Sequence, residues 1–325
     1  MTAGARFAEL KVLRWHDRIT GLLAGERLGP IRANIDLTNL CNHKCYFCEP
    51  LAFREQTVRD RKHTLDTTVT LGLLDELKNM GCVTLILSGG GEPMLHPDFG
   101  HVLAHAKGLG LKTSVVTNGS YIRKWLDYLS AADVVRISLD SSSHAQHVRM
   151  HGGKDFEQII DGIQSLKGKT EIGISYIIDA HNDSEEDIRW IEDLSERMGA
   201  FLQLKPLSNE KWEARAWPKH ISDNPNFVEK RHRDVFFQRE YRECYASQSI
   251  AVISANGEAC ACCDRRDLVY GSVYEKPFSE IWQSRRHKEV SRSIAPQLCT
   301  RCLMCDYNRS VEQNIVNDQS RSWMV

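Results

Sequence analysis

Short apolar runs alternate with segments of helical periodicity between about residues 30 and 207 of this 325-residue chain. The candidate strands span 31–36, 83–87, 112–116, 134–139, 171–178 and 201–206, and the candidate helices span 67–80, 98–109, 122–131, 155–166 and 184–198. Strands and helices that alternate in this way build βαβ units and therefore a parallel sheet. The pattern predicts an α/β fold with six strands, arranged either as a doubly wound sheet or as a partly closed barrel.

The segments outside this region have a different organisation. Residues 1–29 are predicted to form an N-terminal helical extension, and 208–243, which contain Pro218 and Pro225, a linker. Residues 244–310 are predicted to form a small cysteine-rich unit. In that unit, strands at 249–254 and 258–262 meet at an Asn256-Gly257 turn, and a helix follows near 278–292. Residues 311–325 make up a C-terminal tail.

Charge and hydropathy exclude several classes of function. Lys and Arg total 42 against 43 Asp and Glu, so no excess positive charge is available for binding nucleic acid or anionic membranes. No apolar run is long enough for a transmembrane helix, and the N-terminus lacks the features of an export signal. We therefore expect a cytoplasmic protein, in which eleven cysteines indicate metal or redox chemistry rather than disulfides.

The first cysteine group lies immediately after the first predicted strand. Cys41, Cys45 and Cys48 form a C-x3-C-x2-C motif, and His43 within it is interpreted as a solvated loop residue. Three thiolates can hold three irons of a [4Fe–4S] cluster and leave the fourth iron open to a ligand. A zinc knuckle with a fourth ligand from elsewhere in the chain is the alternative reading of the same residues.

A glycine-rich sequence, Ser88-Gly89-Gly90-Gly91-Glu92-Pro93, follows the second predicted strand. Consecutive glycines let a ligand approach the backbone closely, and ligands of parallel sheets bind at the carboxyl ends of the strands. The glycine-rich sequence alone is a weak signal, but it becomes specific in combination with the cysteine motif.

Together these motifs resemble the radical S-adenosylmethionine (SAM) superfamily. The resemblance rests on the three cysteines, Phe47 and Gly90-Gly91-Glu92-Pro93, with support from residues 117–119 and 138–140. It implies a partial, TIM-like (β/α)6 barrel over 30–207, in which Cys41, Cys45 and Cys48 hold a [4Fe–4S] cluster that chelates SAM. It also implies that one electron cleaves SAM to methionine and a 5′-deoxyadenosyl radical, which abstracts hydrogen from a C–H bond.

The same resemblance suggests which residues contact SAM. The implied contacts are Phe47 near the adenine, the backbone of Gly90, Gly91 and Glu92 at the amino group, and Asn118 and Ser138 near the ribose or carboxylate. Arg149 and His151, which follow the fourth strand, are candidates for contacts with the SAM carboxylate or the substrate.

Seven further cysteines fall between residues 244 and 305. From their spacing, four of them could form either a zinc ribbon or a cubane cluster site. Their arrangement around the Gly257 hairpin resembles the SPASM/twitch extension of radical SAM enzymes. That resemblance implies an auxiliary [4Fe–4S] cluster on Cys244, Cys262, Cys299 and Cys302, with Cys305 as an alternative ligand.

In function the chain resembles aminoglycoside-type radical SAM dehydrogenases and epimerases. This resemblance implies hydrogen abstraction from a small polar substrate (a sugar, aminocyclitol or nucleoside), with an external electron donor of the flavodoxin or ferredoxin type. Oxidation or epimerisation would follow, and the candidate hydrogen donors for epimerisation are Cys260, Cys263 and Cys305. Two alternatives remain open, a peptide-modifying (RiPP maturation) radical SAM enzyme and, in another class, a zinc-binding interaction protein.

Overall fold

The computed structural model describes residues 14–48, 63–207, 217–227, 241–299, 302 and 304–317. The strands of this part are β1 Arg32–Asp36, β2 Thr84–Ser88, β3 Lys112–Thr117, β4 Val134–Ser138, β5 Glu171–Ile178, β6 Phe201–Pro206, β7 Ile250–Ile253, β8 Glu258–Cys260 and β9 Val269–Ser272. They form one sheet in the order β6-β5-β4-β3-β2-β1-β7-β8-β9. Because β6 and β9 are the two ends of this sheet, the barrel is open.

The helices of the described part lie between and after these strands. They are α1 His16–Leu23, α2 Thr67–Asn79, α3 Phe99–Gly108, α4 Leu126–Leu129, α5 His144–His151, α6 Phe156–Leu166, α7 Glu185–Met198, α8 Lys219–Ser222, α9 Ala246–Ser249, α10 Phe278–Trp282, α11 Arg285–Ser293 and α12 Cys305–Val311. The first six strands all pair in parallel, and their bounds agree with the predicted ones to within one residue. The predicted α/β barrel with a cysteine-rich C-terminal region is therefore confirmed.

Helix α7 illustrates how the local sequence determines these elements. Ser184 Oγ accepts a hydrogen bond from Asp187 N at 3.1 Å, and the acidic first turn favours the positive N-terminal end of the helix. Gly199 ends the helix in the left-handed conformation, with a φ of +64°. The buried face packs into the main hydrophobic core through Ile188, Ile191 and Leu194.

Three helices differ from expectation. The helix predicted at 122–131 is shortened to α4, because bonds such as Trp125 N to Ile122 O, at 3.2 Å, make turns of the preceding residues. The helix predicted near 278–292 is divided into α10 and α11, because Ser284 caps a new helix by accepting from His287 N at 3.1 Å. Helix α5 has no predicted counterpart, since two of its three buried residues are histidines rather than apolar side chains.

The C-terminal unit continues the sheet of the barrel. Strand β7 pairs in parallel with β1, with Arg32 opposite Ile250 and Ile35 opposite Ile253. Strands β8 and β9 follow in antiparallel pairs, and Gly257, with a φ of +83°, lies in the turn between β7 and β8. The predicted hairpin is present, but neither its pairing with β1 nor the third strand was expected. Backbone hydrogen bonds therefore join the cysteine-rich unit to the barrel.

The predicted terminal and linker segments are described only in part. Helix α1 lies in the extension expected at 1–29, and α8 lies in the linker expected at 208–243, most of which is outside the described residues. Helix α12 crosses the boundary expected at residue 310 and continues as a π-helical turn, Glu312–Val316. Within the described ranges, no helix combines the length and the apolar character needed to cross a membrane.

The two faces of the sheet differ in chemistry. The helix-facing residues of β1 and β4 are apolar and fully buried, namely Ala33, Ile35, Val135 and Ile137. Side chains alternate between the two faces along a strand. The residues that alternate with these apolar ones therefore face the barrel interior. They include Arg32, Asn34, Asp36, Arg136 and Ser138. The interior of the barrel is thus lined in part by charged and polar groups.

Candidate functional site

The loop at 41–48 follows the carboxyl end of β1 and carries three partly buried thiols, none of them in a disulfide. Burial raises the pKa of the Cys45 thiol, and the charges of Cys48, Asp140 and Cys41 raise it further. Three thiolates here would repel one another unless a bound cation balanced their charge. Three sulfur donors on one short loop fit an iron–sulfur core, whose positive charge would balance the thiolates.

Backbone and amide contacts hold this loop against the rest of the barrel. Lys44 N donates to His151 O at 2.8 Å, which ties the loop to the end of α5. Asn118 Nδ2 donates to Asn42 Oδ1 at 2.9 Å and lies 3.9 Å from Cys41 Sγ. Asn118, which follows β3, therefore lies beside the first cysteine of the motif, near the cofactor site that the resemblance implies.

A buried polar network lies behind the cysteine loop. His43 Nε2 is 3.0 Å from Asp155 Oδ1, and the same carboxylate is 3.0 Å from His147 Nε2 and accepts a hydrogen bond from Ser120 Oγ at 2.5 Å. Burial alone would raise the pKa of Asp155, but the Ser120 hydrogen bond and the nearby His43 lower it to about 2. The prediction that His43 is a solvated loop residue is wrong, because its side chain is buried and bonded to Asp155.

His151 connects α5 directly to the cysteine motif. Its Nδ1 lies 3.0 Å from Cys45 Sγ, and its Nε2 lies 3.0 Å from Leu139 O. Burial lowers the pKa of His151 to about 3, so the imidazole is neutral. A neutral ring that donates from Nε2 to the carbonyl can accept at Nδ1 from the Cys45 thiol. His151 thus contacts a predicted cluster ligand rather than open solvent.

The glycine-rich loop meets the cysteine loop at the same edge of the sheet. Glu92 N donates to Leu40 O at 2.7 Å, immediately before Cys41. The buried Glu92 carboxylate accepts hydrogen bonds from Thr117 Oγ1 at 2.7 Å, Asn118 N at 2.8 Å and Met94 N at 3.1 Å. Burial raises the pKa of Glu92 to about 7 despite these bonds. Glu92 therefore joins the loops after β1, β2 and β3.

Only glycine fits at position 91. A Cβ on Gly91 would collide with Leu40 O and lie 2.6 Å from the Asn39 carbonyl carbon. At Gly90 an added Cβ would make only ordinary van der Waals contacts, the nearest at 3.6 Å with Asn39 Cβ. The two glycines thus differ, since Gly91 permits the close approach of two loops and Gly90 is half-buried without a steric conflict.

The other predicted SAM contacts are distributed around this edge. The Phe47 ring packs edge-on to the His151 ring, with centroids 5.7 Å apart. Ser138 ends β4 on the interior face and pairs in register with Ser175 of β5. Arg149 lies on α5, where its Nη2 is 3.2 Å from His181 Nε2. Hydrogen bonds and close contacts bring Cys41, Glu92 and Asn118 together, whereas the contact of Arg149 described above is with His181 and not with the glycine-rich loop.

The second group of cysteines lies between the sheet and the C-terminal helices. Burial raises the pKa of the Cys244 thiol, and the charge of Cys299 adds to this shift. Burial also raises the pKa of the Cys302 thiol, and the charges of Cys244 and Cys299 add to it, so the three thiols lie within electrostatic range of one another. Cys262 is hydrogen-bonded to Cys263, which is its neighbour in sequence. The alternative ligand Cys305 is fully buried in a small apolar cluster with Ile19, Tyr241, Tyr245, Val311 and Ile315.

The spacing of ligand atoms in this second group differs from that of a zinc site. Zinc–sulfur bonds of about 2.3 Å in a tetrahedron place sulfur atoms about 3.8 Å apart. In the described ranges, three such ligand atoms come within 4.8 Å of one another only at His43, Cys45 and His151 and at His43, His147 and Asp155. The described C-terminal cysteines thus lack the compact arrangement that a single zinc ion requires.

Comparison with known protein families supports iron–sulfur sites at both cysteine groups. A model of the radical SAM superfamily matches residues 35–194, and a model of an iron–sulfur cluster-binding domain, SPASM, matches residues 244–306. This chain is a radical SAM enzyme with a SPASM domain. Its radical SAM domain binds SAM and a [4Fe–4S] cluster, and its SPASM domain binds additional iron–sulfur clusters. These matches do not support a zinc-binding interaction protein.

Several characterised proteins resemble this radical SAM enzyme. A probable GTP 3′,8-cyclase of Saccharolobus islandicus is 25% identical over 248 residues, covering 71% of this chain and 77% of the relative. A tungsten-containing aldehyde ferredoxin oxidoreductase cofactor-modifying protein of Pyrococcus furiosus is 23% identical over 328 residues. The alignment covers 86% of this chain and 89% of the relative. The structure of Streptococcus suis SuiB bound to precursor peptide SuiA aligns with a TM-score of 0.65 at 18% identity. This alignment covers 87% of this chain and 72% of the SuiB chain. The likeness to SuiB establishes the fold.

Proposed function

We propose that this radical SAM enzyme abstracts hydrogen from a C–H bond of a small polar substrate, such as a sugar, aminocyclitol or nucleoside, and yields an oxidised or epimerised product. The observation that carries this proposal is the meeting of three loops at one edge of the sheet. The cysteine loop, the Glu92 loop and Asn118 contact one another there, next to a barrel interior lined by polar groups. Such an interior can bind a polar molecule and exclude bulk water.

The chain's own residues have distinct roles in this proposal. Cys41, Cys45 and Cys48 would hold the cluster, and the half-buried backbone at Gly90 would bind SAM beside Asn118. When bound and reduced, the cluster and SAM supply a 5′-deoxyadenosyl radical for hydrogen abstraction. The buried network of His43, Asp155, His147 and Ser120 fixes the shape of the cysteine loop.

We further propose one auxiliary [4Fe–4S] cluster in the SPASM domain, on Cys244, Cys262, Cys299 and Cys302. The charge of Cys299 acts on Cys244, and the charges of Cys244 and Cys299 act on Cys302, which supports three of these ligands as neighbours. Cys305 is a weaker candidate, because its thiol is buried among apolar side chains. In an oxidation, an auxiliary cluster would accept the electron of the substrate radical, and an external flavodoxin or ferredoxin would supply electrons to the first cluster.

Among the candidate hydrogen donors for epimerisation, location favours Cys263. Cys263 is near Arg32 and Arg266, and Arg266 reaches Asp36 on the interior face of β1. Cys260 also lies near Arg266 and Asp36, but it is fully buried on β8 with its Sγ 3.4 Å from Ser254 Oγ, whereas Cys263 is partly exposed. A thiol that gives its hydrogen atom to a substrate radical becomes a thiyl radical. The external donor would then return one electron, and solvent one proton.

Peptide modification is a second candidate function. It is favoured by the fold likeness to SuiB, whose structure contains a precursor peptide. The two functions differ in the substrate that accelerates SAM cleavage. A small polyol or nucleoside should do so under the first proposal, and a peptide under the second.

The proposal is tested by anaerobic reconstitution with iron and sulfide. We expect about eight irons per chain and cleavage of SAM to 5′-deoxyadenosine with dithionite. Cys45→Ala should lose about four irons and all cleavage, whereas the matched control Cys82→Ala should lose neither, because Cys82 is buried at the start of β2. Equal iron contents in Cys45→Ala and the wild type would refute the assignment of the first cluster.

Oxidation and epimerisation are separated by running the reaction in D2O. An epimerised product gains one deuterium at carbon, and this label should disappear in Cys263→Ala while SAM is still consumed. An oxidised product gains no deuterium from quenching, and its formation should not depend on Cys263. Deuterium incorporation that persists in Cys263→Ala would exclude this thiol as the donor.

A further inference from the structure

Three cationic side chains face the interior of the barrel from different strands. Arg32 is on β1, Arg136 on β4 and Lys205 on β6, and each alternates with helix-facing apolar residues of its strand. On β6, for example, the neighbours of Gln203 are Leu202 and Leu204, which are buried in the core. The same alternation directs Gln203 and Lys205 to the opposite face.

These cations form no ion pair within 4 Å among the described residues, although the buried Asp140 carboxylate acts on Lys205 from a greater distance. Arg136 forms no ion pair or hydrogen bond in that part of the chain, and its Nε is buried. Arg32 Nε is also buried without a partner, and Arg32 Nη2 contacts only a weak acceptor, Met304 Sδ, at 3.3 Å. Lys205 likewise has no ion pair or hydrogen bond in the described ranges. All three side chains are half-buried, and a charge held in such a place without a partner costs free energy, so a chain rarely places it there without function.

The charges act on one another across the interior. Burial and the positive charge of Arg136 lower the pKa of Lys205 to about 7, against an opposing effect of the Asp140 carboxylate. Burial also lowers the pKa of Arg136, and Arg32 adds to this effect. Arg136 therefore lies within electrostatic range of both other cations, and a single bound anion could relieve the repulsion among the three.

A fourth interior cation serves as an internal comparison. Arg266 forms an ion pair with Asp36, donates to Ser254 Oγ at 3.1 Å and donates from Nε to Cys263 O at 3.1 Å. The chain thus pairs Arg266 fully with its own groups. In the described residues it leaves Arg136 on β4 and Lys205 on β6 without a hydrogen bond or an ion pair.

Unpaired hydrogen-bond acceptors accompany the free cations. Asn34 Oδ1 on β1 and Gln203 Oε1 on β6 are both buried without a partner in the described residues. Amide oxygens of this kind accept hydrogen bonds from hydroxyl or amine groups. The interior therefore offers positive charge together with acceptors, which complements a ligand that carries an anionic group and hydroxyl or amine donors.

We propose that the substrate carries a phosphate or carboxylate group, which binds inside the barrel between Arg136 and Lys205, with Arg32 as a third positive charge. This inference rests on the proposed function, because it takes the barrel interior as the substrate site. It narrows the substrates considered above: sugars and nucleosides that carry a phosphate or carboxylate group fit, whereas a cationic aminocyclitol without an acidic group would be repelled.

The inference is tested by anion binding to the reconstituted holoenzyme at constant ionic strength. Inorganic phosphate and glutarate are titrated by calorimetry, with myo-inositol as the neutral comparison. We expect one of the two anions to bind, and which one binds distinguishes a phosphate from a carboxylate substrate. Arg136→Gln should weaken that binding tenfold or more. The matched control Arg189→Gln should not, since Arg189 is exposed and pairs with Glu185 on α7.

A stability measurement keeps the test independent of activity. Removing an unpaired buried cation should raise the urea midpoint of Arg136→Gln in anion-free buffer. The anion that binds should raise the midpoint of the wild type but not that of the variant. No binding of either anion to the wild type, or equal binding to wild type and Arg136→Gln, would overturn the inference.

The SAM carboxylate is the other anion that these cations could bind. Phosphate or glutarate should bind equally well with and without saturating SAM if the cations serve the substrate. Loss of anion binding on addition of SAM would assign the cations to SAM and overturn the inference. Failure of the proposed function has a different signature, namely no iron uptake or no SAM cleavage by the wild type.

Discussion

Replacing Gly91 by alanine tests the contact between the two loops that form the cofactor site. A Cβ at this position would collide with Leu40 O and lie 2.6 Å from the Asn39 carbonyl carbon. Both neighbours are backbone atoms, so the overlap cannot be relieved by rotating a side chain. The loops must separate, and the 2.7 Å hydrogen bond from Glu92 N to Leu40 O must lengthen or break.

The expected cost has two parts. Overpacking against rigid backbone costs about 1–3 kcal/mol, and loss of the hydrogen bond adds about 1 kcal/mol. Gly91→Ala should therefore lower the free energy of unfolding by about 2–4 kcal/mol. It should also reduce iron uptake, because the displaced Leu40 directly precedes Cys41.

The matched control is Gly108→Ala at the end of α3, where an added Cβ has no neighbour within 4 Å. A helical Gly→Ala change without steric conflict should be neutral or stabilising by up to about 1 kcal/mol. Urea denaturation followed by circular dichroism, together with iron analysis after reconstitution, measures both effects. A Gly91→Ala protein with wild-type stability and iron content would refute the argument that the two loops are locked together.

Three further predictions follow from the site. The pKa of Glu92 is raised by burial from 4.5 to about 7. The wild type should therefore lose stability as pH rises through this interval, and Glu92→Gln should remove up to about 3 kcal/mol of that loss in urea titrations at pH 5 and 8. Asp155→Ala leaves the buried His43 and His147 without their acceptor, so it should lower the free energy of unfolding by about 2 kcal/mol and reduce iron uptake. The control Asp161→Ala breaks only the exposed ion pair with Arg123 and should change neither quantity. Cys302→Ala should lose about four irons and Cys305→Ala none, and the opposite result would exchange their proposed roles.

The repeated strands and helices were predictable because each is encoded locally. An apolar run of five to eight residues needs only its own alternation to specify a buried strand, and β5 and β6 have the predicted bounds. The cysteine and glycine motifs are also local features, since each lies in the sequence shortly after the end of a strand. Their contact through Leu40 and Glu92 then follows from parallel pairing of β1 with β2.

The buried histidines could not be found in this way because their partners are distant in sequence. His43 is 112 residues from Asp155, and nothing in the polar sequence around it indicates burial. Helix α5 lacks an apolar stripe, since His147 and His151 occupy the buried positions of successive turns. The spacing of these two histidines, four residues apart on one helix face, was the available signal.

The pairing of β7 with β1 has consequences for how the two cysteine groups are arranged. Strand β1 lies between β2 and β7, so the sheet that supports the glycine-rich loop also supports the hairpin preceding Cys262. Because β1 and β7 are parallel, their carboxyl ends are at the same edge, where Arg266 bridges Asp36 and Ser254. A hinge between the domains would require these backbone hydrogen bonds and a buried ion pair to break together. The separation between the two cluster sites is therefore set by the sheet itself, and a change on β1 such as Asp36→Ala should disturb both sites at once.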